Sequence, residues 1–271
     1  MLGKVIKNEF KDTWKVLLPL NLALIVVTIF GVIALNIFSL KSDMAGFVVV
    51  ATSITYMLGL FALVITSFIY LAVRFYKSMY GAEGYLTHTL PVSGFSNLNG
   101  KLITAVWWNF ISMVLAVASV IILVYSLIDN VGRTMGETTS IAMMVYEFEN
   151  LFEAPIWVLI LRMLGYFLLS SASGLLMIYA SLSIGQLFNK YKVGAAVVTY
   201  LIFYIITQIV SFLVLLGTKE SRTRSFEAMI EAGETVVEMP DMMGTIIQVI
   251  VMIIIYYCIT AYICNRKLNL E

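Results

Sequence analysis

The segment from Gly94 to Leu102 comes closest to a motif with known chemistry. Its two glycines and the following Lys101 are arranged much like the phosphate-binding loop G-x-x-x-x-G-K-[ST], in which backbone N–H groups cradle phosphates and a hydroxyl binds Mg²⁺. Five residues separate the glycines here instead of four, and Leu102 stands where the hydroxyl belongs. A long apolar run follows directly. The segment is therefore not expected to bind a nucleotide.

The remaining reactive side chains are few and scattered. His88 is the single histidine and has no metal-ligand spacing around it, while Cys258 and Cys264 fall in the last apolar run. A hydrolase or metalloenzyme needs clustered histidines, carboxylates or an activated nucleophile. The sequence therefore predicts that the chain is not an enzyme, holds no metal and binds no cofactor itself.

The composition is that of a protein whose surface faces lipid. Of 271 residues, 61% are hydrophobic and 12% are charged, whereas a soluble domain has about 25% charged residues. The net charge of +1 gives no reason to expect nucleic acid as a partner. The lipid bilayer is the partner that this composition predicts.

Six apolar runs are long enough to cross the hydrocarbon as helices, which takes about 20 residues. They are too continuously apolar for barrel strands, which alternate. The predicted fold is an all-α integral membrane protein in which residues 1–271 form one transmembrane domain. Its membrane spans are 16–38, 47–73, 102–128, 155–187, 193–217 and 244–264.

The charge distribution predicts which ends of the spans face the cytoplasm. If the N-terminus is inside, the inner segments hold eleven basic residues and the outer segments hold five, while the acidic residues favour the outside by twelve to four. An excess of Lys and Arg marks the cytoplasmic side. Both termini are therefore predicted to be cytoplasmic, and the segment 74–100 to be the largest cytoplasmic loop.

Residues 1–15 have the pattern of an amphipathic helix. Apolar side chains recur at three- and four-residue spacing with lysines between them. Such a helix is expected to lie in the inner membrane interface, either as a simple anchor or with a mechanical role.

Small and polar side chains form stripes on three predicted spans. Such stripes either pack helices together or line a path for a substrate, and the residue types do not separate the two. Within the spans the only charge is Arg162, which either snorkels to the outer surface or binds an anionic substrate. No span has an interior carboxylate, which disfavours an ion-coupled transporter. The candidate path residues are Asn109, Ser112, Arg162, Ser170, Gly174, Thr207 and Gln208.

The loop 74–100 is too apolar for a solvated linker, so it is expected to contact a partner. Its run Glu83-Gly-Tyr-Leu, followed by Leu90-Pro-Val-Ser93, resembles the permease subunits of ABC-2 type ABC transporters, especially small bacterial ones linked to peptide antibiotic export or immunity. The amphipathic start, the six spans and the short basic tail are similar as well. The resemblance covers the layout of the whole chain, and its sequence-specific part is this loop.

The resemblance implies a membrane permease without its own ATPase. Such permeases form homo- or heterodimers, pair with separate ABC ATPase subunits that bind ATP and Mg²⁺, and reside in the bacterial plasma membrane. It implies that residues 1–15 form a connecting helix and that 218–243 contain short re-entrant helices. It also implies a coupling helix that docks on the ATPase, formed or flanked by Glu83, Gly84, Tyr85, Leu86, Leu90 and Pro91.

Two other functions remain open at this point. The chain is alternatively a membrane sensor or assembly protein whose loop binds a different partner, or, less well supported, a secondary transporter. Peptides, drugs and lipid-like molecules would all suit an apolar path with hydroxyl and amide groups. Export is favoured over import only because the similar family mostly exports.

Overall fold

Six long helices account for most of the chain. The computed structural model describes residues 2–37, 45–81, 83–84, 94–135, 143, 145–146, 149–150, 154–188, 190–232 and 242–266. Each helix contains most of one predicted apolar run and is long and apolar enough to cross a membrane, so the chain is a multi-pass membrane protein. The helices are α1 (Leu2–Ile37), α2 (Ala45–Met79), α3 (Gly94–Met135), α4 (Ile156–Gly185), α5 (Lys192–Ala232) and α6 (Met242–Arg266).

Several helices extend far beyond their apolar runs. The 42 residues of α3 span about 63 Å at 1.5 Å per residue, whereas the hydrocarbon is about 30 Å thick. Apolar composition marks only where a helix meets lipid. The backbone hydrogen bonds of a helix continue wherever the next residues tolerate them.

Two predicted breaks fall inside continuous helices. Residues 2–15 do not form a separate helix, because α1 runs from Leu2 to Ile37 with Pro19 inside it. Residues 218–232 continue α5 without a break instead of turning back as a re-entrant helix. This part of the re-entrant prediction is wrong. Residues 233–241 lie outside the described ranges.

The helices alternate in direction, and α4 lies at the centre of the packing. α1 packs mainly on α3 and also on α2, while α4 contacts α2, α3, α5 and α6. We call the end of the bundle that holds the start of α1 the basal end. Contacts described below show that it also holds the end of α2, the start of α3 and the ends of α4 and α6.

Aromatic side chains fill the core near the basal end. The ring of Phe75 in α2 stacks on that of Tyr179 in α4 with centroids 3.8 Å apart, and Phe10 in α1 stacks on Trp108 in α3 at 5.0 Å. Phe75 and Tyr179 are almost fully buried. Such pairs add about 0.5–1.5 kcal/mol beyond the area they bury. They join α1 to α3 and α2 to α4.

α1 and α3 approach each other closely at Gly100. A Cβ atom added there would lie 2.7 Å from Cγ1 of Val5, which is too short for two carbon atoms. Gly100 therefore allows the start of α3 to pack directly against the first turns of α1. This contact brings the charged side chains of the two helices together.

Gly100→Ala is expected to destabilise the protein by about 1–3 kcal/mol, because the new methyl group overlaps Val5. The measurement is the thermal midpoint of the detergent-solubilised chain, followed by size-exclusion chromatography after heating. Adding Val5→Ala is expected to restore most of the loss. Gly165→Ala is the matched control, since a Cβ atom there has no neighbour within 4 Å. Equal midpoints for the two alanine variants would contradict the close contact.

Candidate functional site

Five charged side chains form a network at the basal end. Glu9 of α1 accepts hydrogen bonds from Nζ of Lys101 in α3 and, at 3.3 Å, from Nε of Arg74 in α2. Of the other two guanidinium nitrogens of Arg74, Nη2 lies 2.6 Å from Oδ2 of Asp12 and Nη1 lies 3.8 Å from Oε2 of Glu83. The network joins three helices and the first residues of the loop after α2.

Burial makes the Glu9–Lys101 pair the centre of this network. The side chains of Glu9 and Lys101 are 11% and 5% exposed, whereas those of Asp12 and Glu83 are 48% and 59% exposed. A buried charge needs a hydrogen-bonded partner, while an exposed pair contributes little. Glu9 is therefore the residue on which the position of Lys101 depends.

Tyr80, the first residue after α2, is bound to α4 and α6 at the basal end. Its hydroxyl donates to Oγ of Ser183 in α4 at 2.7 Å and lies 3.2 Å from Sγ of Cys264 in α6. Burial raises the pKa of the Tyr80 phenol, so its hydroxyl remains protonated. The ring also packs against Phe75. Tyr80 thus ties the end of α2 to the ends of α4 and α6.

The start of α3 is fixed to the same helices. Gly94 lies so close to Asn265 at the end of α6 that an added Cβ atom would be 2.5 Å from the amide oxygen. Asn97 donates to the sulfur of Met79 at 3.2 Å, and Tyr257 of α6 donates to Asn99 at 2.9 Å. Both ends of the loop are therefore anchored, and together the anchors contact α1, α2, α4 and α6.

The predicted coupling residues fall partly within this site. Glu83 is exposed and pairs with Arg74, whereas Gly84 is buried and donates its N–H to the carbonyl of Gly81 at 2.8 Å. The other four predicted contact residues lie outside the described residues, and their role stays a prediction; they are Tyr85, Leu86, Leu90 and Pro91.

A small cavity lies beside the network. Its volume is about 10 Å³, which is room for about one water molecule, and its polar lining includes Glu9, Thr13, Arg74, Ser78 and Lys101. A site of this size does not admit an organic substrate. The cavity is suited to a water molecule that bridges the charged groups.

The seven candidate path residues do not line this cavity, and their surroundings differ. Asn109 and Ser112 are buried in the bundle, and Arg162 and Gln208 are exposed. The hydroxyl of Thr207 hydrogen-bonds Tyr256 of α6 at 2.8 Å.

The last two path candidates lie on α4. Ser170 is half-buried, and Gly174 packs towards the ring of Phe68. Within the described ranges, no hydrogen bond joins two of the seven side chains. Their role as a substrate path stays a prediction.

The ionic network itself is the part of the site that the sequence did not reveal. Glu9 and Asp12 are the two acidic residues of an otherwise basic segment, which is the signal that marks them. Their partners lie more than 60 positions away along the chain. Sequence spacing predicts which residues share one face of a helix. It does not predict which residues of three different helices come into contact.

Comparison with known proteins finds no counterpart: the sequence matches no protein-family model, no curated protein and no solved structure.

Proposed function

We propose that this chain is the membrane subunit of an ATP-driven exporter and that its basal end binds a separate ATPase subunit. A second membrane subunit completes the transporter, and the substrate is hydrophobic or peptide-like. The chain itself transmits movement and performs no hydrolysis. The ATPase subunit supplies the free energy of ATP hydrolysis, with Mg²⁺ bound there.

The anchoring of the loop is the observation on which this proposal rests. Force applied to residues 85–93 reaches α1 through the pairs of Glu9 with Arg74 and Lys101. It reaches α4 and α6 through Tyr80. A solvated linker would need no such anchors. A segment that passes movement from a docked protein to the spans needs them at both ends.

The distribution of basic residues supports a cytoplasmic basal end. Four lysines precede residue 16 in α1, and Arg74, Lys77 and Lys101 lie on the neighbouring helices at the same end. This matches the excess of Lys and Arg on the cytoplasmic side of membrane proteins. The proposed membrane is the bacterial plasma membrane. The first turns of α1 lie at its inner interface.

Arg74→Gln is expected to uncouple the spans from the ATPase without releasing it. Arg74 joins α2 to both carboxylates of α1 and to Glu83, so its loss leaves the loop attached to fewer helices. The measurement is the distance between spin labels at Val50→Cys in α2 and Ile247→Cys in α6, with the exposed Cys258 replaced by serine. With the ATPase bound, ATP and vanadate should change this distance by about 2 Å or more in the parent chain.

In the Arg74→Gln chain the same treatment should produce less than half of that change. Lys77→Gln is the matched control, because Lys77 lies on the same helix, carries the same charge and is exposed. It should behave like the parent. An unaltered change in Arg74→Gln would exclude the network as the coupling element, and no change in the parent chain would remove the support for an ATP-driven function.

A further inference from the structure

Four lysines lie along one side of the first turns of α1. Successive residues of an α-helix are about 100° apart around its axis, so the four side chains fall within an arc of about 80°. All four are exposed. Among the residues that the structure describes, none of the four ammonium groups pairs with a carboxylate, and the nearby Glu9 and Asp12 are bound by α2 and α3 instead. We call this set the lysine stripe; it consists of Lys4, Lys7, Lys11 and Lys15.

The lysine stripe continues the lipid-facing side of α1. Eighteen residues make about five full turns, so a side chain 18 positions further along the helix points in the same direction. The helix is continuous between the two sets of residues. The lysines therefore point sideways from the bundle, as lipid-facing side chains do, and not along its axis. The residues 18 positions after the four lysines are all apolar and between 39% and 53% exposed; they are Leu22, Ile25, Ile29 and Ile33.

The apolar runs and the ion pairs together give the depth of the lysines in the membrane. The predicted run of α1 begins at residue 16, but those of α2 and α3 reach the level of Glu9, because the residue next to each run pairs with it. The edge of the hydrocarbon therefore lies between these two levels, and the headgroup layer outside it is about 5–7 Å thick. Lys11 and Lys15 lie in this layer or reach it by snorkelling. Lys4 lies about 7.5 Å or more outside the hydrocarbon, beyond the layer.

Trp14 lies at the same depth, beside the stripe. Its ring is 49% exposed, contacts the ring of Trp108 edge-on at 6.4 Å and points about 20° from the edge of the lysine arc. Indole rings of this kind are enriched where hydrocarbon meets headgroups. One side of α1 thus presents apolar side chains, then an aromatic ring, then ammonium groups. A phospholipid presents acyl chains, glycerol and phosphate in the same order.

We infer that the lysine stripe binds the headgroup of an anionic phospholipid, chiefly through Lys11 and Lys15, with the acyl chains along the apolar side of α1. An ammonium group is a compact point charge that pairs with phosphate. A zwitterionic headgroup carries its own cation, which cancels this attraction. An acidic protein docked on the basal end would approach along the bundle axis and meet the stripe at Lys4. The inference goes beyond the proposed function, and it depends neither on an ATPase nor on which side of the membrane the basal end faces.

The test uses the full chain reconstituted without other proteins in bilayers of phosphatidylcholine. Leu22→Cys, with Cys258→Ser, carries a fluorophore on the lipid-facing side directly inward of the lysines, and the remaining Cys264 is buried. A trace of phospholipid with a nitroxide midway along one acyl chain quenches the fluorophore when it occupies this surface. Phosphatidylglycerol, which is anionic, is compared with phosphatidylcholine carrying the same nitroxide. Each lysine near the headgroups contributes about fivefold, so phosphatidylglycerol should be preferred at least about fivefold.

Lys11→Gln with Lys15→Gln should reduce this preference to about twofold or less, whereas Lys11→Arg with Lys15→Arg should retain it. Lys4→Gln with Lys190→Gln is the matched control, because it removes the same charge from exposed residues of the basal end. Lys4 lies beyond the headgroup layer, and Lys190 lies in the connection between α4 and α5, so this variant should match the parent. Salt at about 1 M, where charges are screened beyond about 3 Å, should weaken the preference of the parent chain.

Equal quenching by the two lipids in the parent chain would overturn the inference and leave the stripe to an acidic protein surface. A preference that survives in Lys11→Gln with Lys15→Gln would overturn it as well. An equal loss in the control variant would assign the attraction to overall charge, which also contradicts a site on α1. Each of these results is obtained without an ATPase and leaves its recovery with the chain untouched, so the two proposals fail separately.

Discussion

Glu83→Ala combined with Leu86→Asp is expected to abolish recovery of the ATPase with this chain while leaving its membrane insertion unchanged. The resemblance places both residues in the docking contact, and a carboxylate in an apolar contact is costly. Loss of one central contact weakens binding by at least about 2 kcal/mol, or about 30-fold. Insertion should be unaffected because neither residue lies in an apolar run, and the exposed Glu83–Arg74 pair at 3.8 Å contributes little to folding.

Leu187→Asp is the control for this double variant. Leu187 is 43% exposed in the connection between α4 and α5 at the basal end, so it adds the same charge on the same side. ATPase recovery should match that of the parent chain. Survival of the complex in the double variant would show that residues 83–91 are not the docking contact.

Glu9→Ala is expected to destabilise the protein by about 3–5 kcal/mol, the largest loss for a single charged residue of the network. It leaves the ammonium of Lys101, which is 5% exposed, without its carboxylate partner. Asp12→Ala removes the same charge one turn along α1. Because Asp12 is 48% exposed and shares Arg74 with Glu9, its loss should cost about 1 kcal/mol or less.

Replacing both members of the buried pair distinguishes an unpaired charge from a general packing defect. Glu9→Leu with Lys101→Met removes both charges and is expected to recover most of the stability lost in Glu9→Ala, since well-packed apolar groups replace buried ion pairs at little cost. The measurement is again the thermal midpoint in detergent. Equal midpoints for Glu9→Ala and Asp12→Ala would contradict the burial of the pair.

Hydropathy was sufficient to predict the six spans but not the lengths of their helices. The apolar run 102–128 lies inside a helix that begins at Gly94, and residues 94–101 include three of the contacts that anchor the loop. Those residues are polar because they face protein at the basal end. A hydropathy search therefore does not include residues 94–101, the first turns of α3, although these residues make the contacts that anchor the loop.

The faces of the spans could not be predicted for a related reason. A helix surrounded by lipid is apolar on all sides, so periodicity does not mark the buried face. The sequence grouped Asn109 with Gln208 as path residues, yet the first is buried and the second is exposed. The pairing of Glu9 with Lys101 likewise depends on how α1 crosses α3 at Gly100, which no local pattern specifies.

Affinity purification of the tagged chain from native membranes in mild detergent, with mass spectrometry of the proteins recovered, tests the proposed function. We expect an ATP-binding subunit in roughly stoichiometric amount, together with a second membrane subunit. Recovery of the chain alone, or with an unrelated partner in place of an ATPase, would contradict the proposed function and leave a six-helix membrane protein with an anchored loop.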